Sequence, residues 1–95
     1  MSPALFQPIK VGQLQLAHRV VLPPMTRCRA DLATAAPLIP VVPEYYAQRA
    51  SVPGGLLIAE ATAISLKAGG LPGLPGIWSD IQVDAWKKVG IFARL

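Results

Sequence analysis

Two short apolar segments, each closed by a residue that ends a strand, constrain the fold of this chain most strongly. Val20–Leu22 is followed by two prolines, and Leu56–Ala61 is apolar except for Glu60. Aliphatic runs without polar alternation are typical of strands that are covered on both faces. Because proline cannot donate to a sheet ladder, the first strand is predicted to end at Leu22 or Pro23. We therefore predict two covered strands, the second over Leu56–Ala61.

The segments around these strands carry their own local signals. Within Leu5–Leu16, apolar and polar residues alternate on either side of Gly12-Gln13, which predicts a short hairpin. Arg27–Val42 is predicted to be a loop, and Pro43–Ala50 a helix, because proline followed by an acid suits a helix start. Ser65–Ile77 contains four glycines and two prolines and is predicted to be irregular.

A second helix is predicted after this loop. Ser79 with Gln82 three residues later forms a capping-box pattern, and Gly90 is a natural helix end. Four residues at helical spacing are predicted to form one apolar face: Ile81, Ala85, Trp86 and Val89.

The predicted order is hairpin, strand, loop, helix, strand, loop and helix. Strand–helix–strand with covered strands implies an α/β fold with a parallel sheet and a right-handed crossover. Two parallel strands do not complete such a sheet. The pattern looks like the first quarter of a (β/α)8 barrel, because it contains two of the eight strand–helix units. Such barrels usually have about 250 residues or more, against 95 here.

Composition excludes several classes of protein. An apolar share of 53% argues against disorder. The longest uncharged stretches span 12 residues, whereas a membrane helix needs about 20, so no membrane association is expected. No secretory signal is visible at the start, and a single cysteine, Cys28, excludes an internal disulfide or a cysteine-rich zinc site. The expected location is cytoplasmic, and no metal is expected.

The net charge of +4 lies entirely in the first third of the chain. Residues 1–30 contain four basic residues and no acid, whereas the later basic and acidic residues balance. Apolar residues of the predicted first strand separate these positive charges, whereas a basic arm that binds nucleic acid has its positive charges clustered. No nucleic-acid partner is therefore expected.

Candidate functional residues follow the two strands, at the end where barrel enzymes place their active sites. Pro23–Thr26 offers a rigid backbone and a hydroxyl, although it is equally interpretable as a plain strand-ending turn. Ala61 would let a planar ligand approach, although it also suits an ordinary core position. The glycines of 69–76 lack the spacing of a phosphate-binding loop.

Three further residues have simpler interpretations. His18 precedes the first strand, at the end opposite the expected active face, and is interpreted as structural. Cys28 lies between two arginines but has no neighbouring histidine base, so it is interpreted as a free loop thiol. Glu60 needs a partner if it is buried, and Arg27 or Arg29 is predicted to supply it.

Several blocks of the sequence resemble one family. Leu5–Gly12 followed by His18–Arg27 is similar to the opening of the old yellow enzymes, and three later blocks occur in the family's order and spacing: Glu44–Ala50, Leu57–Thr62 and Pro75–Ser79. Together these blocks lie within residues 5 to 89 and are most similar to fungal members.

The resemblance implies an FMN-dependent barrel oxidoreductase that takes hydride from NADPH, with residues 1–95 as the N-terminal part of the FMN-binding domain. The implied substrate is an enone or enal, reduced at its activated C=C bond. Pro24, Met25, Thr26 and Ala61 match positions that contact the flavin, with the threonine hydroxyl near the C4 carbonyl.

The resemblance implies no catalytic residue within this chain. The family's substrate-polarising donor pair, its proton-donating tyrosine and its phosphate-binding end have no counterpart in residues 1–95. The chain alone is therefore expected to be inactive. The alternative is a non-catalytic protein that self-associates, or binds a partner, through its unfinished sheet.

Overall fold

The N-terminal segment of the computed structural model, which describes residues 3–92, forms the predicted hairpin. After a single 3-10 turn at Ala4–Phe6, strands β1 (Ile9–Val11) and β2 (Leu14–Leu16) pair antiparallel. Gly12 in the connecting turn has a φ of +59°, a conformation that glycine adopts without steric cost.

The two apolar segments form a parallel pair, as predicted. Strand β3 (Val21–Leu22) lies beside β4 (Leu56–Leu57), and the Ile58 N–H donates to the Leu22 carbonyl at 3.0 Å. Two parts of the prediction are wrong: the second strand is shorter than Leu56–Ala61, and the pair is not covered on both faces. Beyond Ile58 the second segment leaves the ladder, since the Glu60 N–H donates to the Tyr46 hydroxyl. Val21 is exposed, because nothing in residues 3–92 covers that face of the pair.

Helix α1 (Val41–Arg49) connects the two strands and begins two residues before the predicted start. Pro43 lies in its first turn, where backbone N–H groups have no acceptor within the helix, so the proline costs no helical hydrogen bond. The preceding residues supply acceptors, since the Val42 N–H donates to the Leu38 carbonyl at 2.9 Å. The helix therefore begins two residues upstream of the proline.

Helix α2 (Asp80–Phe92) begins with the predicted capping box. The Gln82 N–H donates to Ser79 Oγ at 3.3 Å, and the Ser79 N–H donates to Gln82 Oε1 at 3.1 Å. The predicted stop at Gly90 is wrong, because the helix continues to Phe92. A glycine costs a helix only about 1 kcal/mol relative to alanine, which packing of the preceding turns can offset.

The buried face of α2 also differs from the prediction. Ala85 and Val89 are buried and Trp86 is half-buried, as predicted, but Ile81 is 61% exposed. Gln82 takes its place on the inner face with no exposed surface. This polar side chain can be buried because its amide oxygen and nitrogen both make hydrogen bonds.

The core is small, and it lies where the two helices meet the parallel pair. Val42, Tyr46 and Val89 form its centre, and Leu22 and Leu57 pack against them. The radius of gyration is 15.0 Å, against about 12 Å expected for a compact domain of this length. The element order is that of a barrel's first β/α units, and the described residues form no closed barrel.

Candidate functional site

The candidate site lies at the carboxyl-terminal ends of the two parallel strands, and this side of the sheet is called the site edge below. Because β3 and β4 run in the same direction, the segments that follow them emerge on the same side. A hydrogen bond links these segments, since the Arg27 N–H donates to Glu60 Oε1 at 3.3 Å. Arg27 follows Thr26 and Glu60 precedes Ala61, so this bond brings the two predicted ligand-contacting stretches together.

The predicted site residues are accessible and carry free hydrogen-bond donors. Pro24, Met25, Thr26 and Ala61 are all exposed. Within residues 3–92, no acceptor is bonded to the N–H groups of Met25, Thr26 and Ala61 or to the Thr26 hydroxyl. Exposed main-chain donors in the segments that follow two neighbouring strands can bind the carbonyl oxygens and ring nitrogens of a planar ligand.

Glu60 is the buried charged residue of this edge, only 5% exposed. The prediction of a partner in Arg27 or Arg29 is confirmed for Arg27, although the observed contact uses its backbone N–H. The Arg27 side chain turns back, with Nε donating to the Thr26 carbonyl at 3.2 Å. Backbone donors serve a buried carboxylate as well as a cation does, without burying a second charge.

Tyr46 is the functional neighbour that the sequence analysis missed. Its hydroxyl accepts from the Glu60 N–H at 3.0 Å. Burial raises the pKa of Tyr46, so this hydroxyl stays protonated. No sequence pattern points to Tyr46, because its partner lies 14 residues later in the chain, outside helix α1.

A cavity of about 350 Å³ opens beside Glu60, between the site edge and the start of α1. Its lining combines the carboxylate with two cationic and three other side chains: Arg27, Arg29, Val41, Val42 and Tyr45. The edge therefore has an excess of positive charge beside the single buried acid.

The remaining candidates lie around this edge or away from it. Cys28 is exposed and has a φ of +55°, and the loop that contains Gly73 packs directly against its backbone. His18 lies at the opposite end of β3, where its Nδ1 accepts from the Val20 N–H at 3.2 Å. This hydrogen bond agrees with the structural interpretation of His18.

The stability of the folded chain is expected to fall as pH rises above 4.5. Burial raises the pKa of Glu60 above its ordinary value of 4.5, so the unfolded chain releases this proton at lower pH than the folded chain. Between these two pKa values the folded state binds more protons, and linkage then makes the free energy of unfolding decrease with pH. Urea unfolding of the wild type and Glu60→Gln across this window measures the slope.

The slope should disappear in Glu60→Gln. Asp31 does not contribute to this slope. The backbone N–H groups of Thr34 and Ala33 lower its pKa from 3.8, so its contribution to stability rises with pH and is complete at lower pH than the Glu60 window. A slope of equal size in the two proteins would contradict the assignment to Glu60.

Comparisons with known proteins extend over nearly the whole chain. A family model described as the NADH:flavin oxidoreductase / NADH oxidase family matches residues 4–90. The NADP-dependent oxidoreductase lnbE of Aspergillus flavus is 57% identical over 89 residues, covering 94% of this chain and 23% of the relative. The 12-oxophytodienoate reductase 1 of Oryza sativa subsp. japonica is 53% identical over 85 residues, covering 90% of this chain and 21% of the relative.

Solved structures agree with these sequence matches. The crystal structure of TcOYE with pHBA superposes on 97% of this chain and 24% of that chain, with a TM-score of 0.88 and 37% identity. The fold is thus that of the first quarter of an old yellow enzyme barrel, as predicted. The family description and the NADP-dependent relative support FMN and NADPH as the cofactors that the resemblance implies.

The chain spans about a quarter of the length of the relatives that it matches. In the described range 3–92, no helix is both long and apolar enough to cross a membrane.

Proposed function

Because this chain belongs to the NADH:flavin oxidoreductase / NADH oxidase family, we propose that it forms one side of the flavin site of an ene-reductase. The proposed reaction uses NADPH to reduce the activated C=C bond of an α,β-unsaturated carbonyl compound. The names of several relatives support such a substrate class, among them a chanoclavine-I aldehyde reductase of Penicillium roqueforti and the rice 12-oxophytodienoate reductases. The proposed location is the cytoplasm, as expected from the sequence.

One observation carries this proposal. The unbonded donors of Met25, Thr26 and Ala61 lie on two segments that the Arg27–Glu60 hydrogen bond holds at one edge. Such donors fit the polar rim of an isoalloxazine ring, which presents carbonyl oxygens and nitrogens in one plane. The residues present therefore fit the flavin that the family implies.

Each of these residues has a proposed role at the ring. When bound, FMN supplies hydride transfer from NADPH to the β-carbon of the alkene. The Thr26 hydroxyl would donate a hydrogen bond near the C4 carbonyl and so stabilise negative charge there. Pro24 restricts the backbone before Met25, and Ala61 presents its N–H without a bulky side chain. These residues bind and orient the ring and transfer no proton.

The 95-residue chain by itself is expected not to retain FMN, because it offers one side of the ring and no phosphate-binding end. Fluorescence titration with FMN measures the affinity. We expect a Kd weaker than about 10 μM, since half a site cannot supply the corresponding binding free energy. Stoichiometric binding with a Kd below that value would contradict the prediction that the chain alone does not retain FMN.

A chimera tests the proposed function itself. Residues 4–90 of this chain replace the matching segment of the Aspergillus flavus relative, and bound FMN and NADPH-dependent reduction of an enone are measured. We expect a flavin-loaded reductase in which Thr26→Val weakens FMN binding about tenfold, whereas Thr26→Ser, which keeps the hydroxyl, has little effect. Unchanged FMN affinity in Thr26→Val would overturn the assigned role of Thr26.

Self-association through the unfinished sheet is the second candidate function. Val21 is exposed on β3, Val20 is exposed just before it, and Ile58 is exposed just after β4. These residues belong to a two-stranded sheet that leaves one edge of each strand without a strand partner in the described range. Apolar sheet edges of this kind pair with other chains.

A further inference from the structure

The segment that follows β3, residues 23–28, makes few hydrogen bonds to the rest of the described chain. Residues 23–28 form no sheet ladder and no helix. Within the described residues, their one hydrogen bond to a residue distant in sequence is that from the Arg27 N–H to Glu60 Oε1. The next such anchor is at Ala30, whose N–H donates to the Gly73 carbonyl at 3.1 Å. The position of Thr26 therefore depends on Glu60.

Glu60 is itself rigidly held. Tyr46, which is 3% exposed at the centre of the core, accepts from the Glu60 N–H. Helix α1 thus fixes the main chain of Glu60. The Glu60 side chain is 5% exposed, so close packing restricts its orientation and with it the position of the Arg27 N–H that it binds.

We propose that Glu60 is a positioning residue, whose carboxylate sets the Thr26 donors and the Ala61 N–H at the spacing that one ligand requires. This inference rests on the proposed function, because the ligand in question is the flavin. Glu60 touches neither the ring nor the reacting atoms in this scheme. It acts through the backbone of Arg27, as the supporting residues of preorganised sites do.

The first test uses the 95-residue chain without any ligand. Amide exchange of Arg27 is measured by NMR in the wild type, Glu60→Ala and Glu60→Gln. We expect exchange at Arg27 to accelerate about tenfold in Glu60→Ala, relative to the amides of α2. Glu60→Gln should retain most of the protection, because its amide oxygen still accepts from Arg27. Equal protection of Arg27 in the wild type and Glu60→Ala would overturn the proposal.

The second test uses the flavin-loaded chimera and a double-mutant cycle. Glu60→Ala should raise the Kd for FMN about tenfold, and Thr26→Val should then have no further effect, because its hydroxyl is already misplaced. Gln82→Ala, which removes a buried polar side chain away from this edge, is the control for general destabilisation, and its folded fraction should bind FMN with an unchanged Kd. Glu60→Gln should restore near wild-type affinity.

The outcomes separate this inference from the function on which it rests. If the effects of Glu60→Ala and Thr26→Val add, or if Gln82→Ala weakens FMN binding equally, Glu60 acts only on general stability and the proposal fails. If Thr26→Val has no effect while Arg27 still loses protection in Glu60→Ala, the contact to Arg27 is real but the flavin assignment fails, and the positioning role fails with it.

Discussion

Replacing Gln82 with alanine should remove on the order of 4 kcal/mol from the free energy of unfolding. The Gln82 side chain is fully buried, and its Oε1 accepts from the N–H groups of Trp78 at 2.8 Å and Ser79 at 3.1 Å. Its Nε2 donates to the Thr34 carbonyl at 2.8 Å. Truncation leaves these groups unpaired and adds a cavity, and each unpaired buried group costs about 1–3 kcal/mol.

Chemical unfolding followed by circular dichroism measures this loss. Gln82→Met separates the hydrogen bonds from the cavity, because it fills most of the volume but makes none of these hydrogen bonds. It should therefore lie between the wild type and Gln82→Ala. The matched control is Gln48→Ala on the exposed side of α1, which should change stability by less than about 0.5 kcal/mol. A Gln82→Ala protein as stable as this control would contradict the prediction.

The free chain should form oligomers or aggregates, and one substitution in the sheet should reverse this. Ile58 is 43% exposed where β4 ends, and Val20 is 50% exposed where β3 begins, so the small sheet presents apolar surface to solvent. Lysine at an exposed edge opposes pairing between chains, because association would bury its charge. Ile58→Lys is therefore expected to be largely monomeric, whereas in a complete barrel the same change would damage the core.

Size-exclusion chromatography with light scattering tests this expectation against the monomer mass of 10.1 kDa. Leu32→Lys is the matched control, since it adds the same charge at an 81% exposed loop position away from the sheet. If both substitutions give monomers, net charge rather than the sheet edge controls association. A wild-type chain that is monomeric and unfolds cooperatively at about 100 μM would show that these 95 residues complete their own core and would contradict this prediction.

Local backbone chemistry made part of the site predictable. Two prolines after Leu22 end β3 wherever it packs, so the exposed edge that contains Thr26 could be placed from the sequence. The flavin assignment of that edge came from resemblance and remains a prediction. The role of Tyr46 could not be inferred, because the hydroxyl meets Glu60 only when α1 packs against β4.

The sequence alone determined the features that depend on residues close in the chain. The hairpin follows from Gly12, and the start of α2 follows from Ser79 and Gln82, because each of these contacts spans only a few residues. Tertiary structure decided the features whose partners are distant. The helix continues through Gly90, and Gln82 is buried because its amide reaches Thr34, 48 residues earlier. Such contacts form only when packing brings the elements together, and no local pattern encodes the choice of partner.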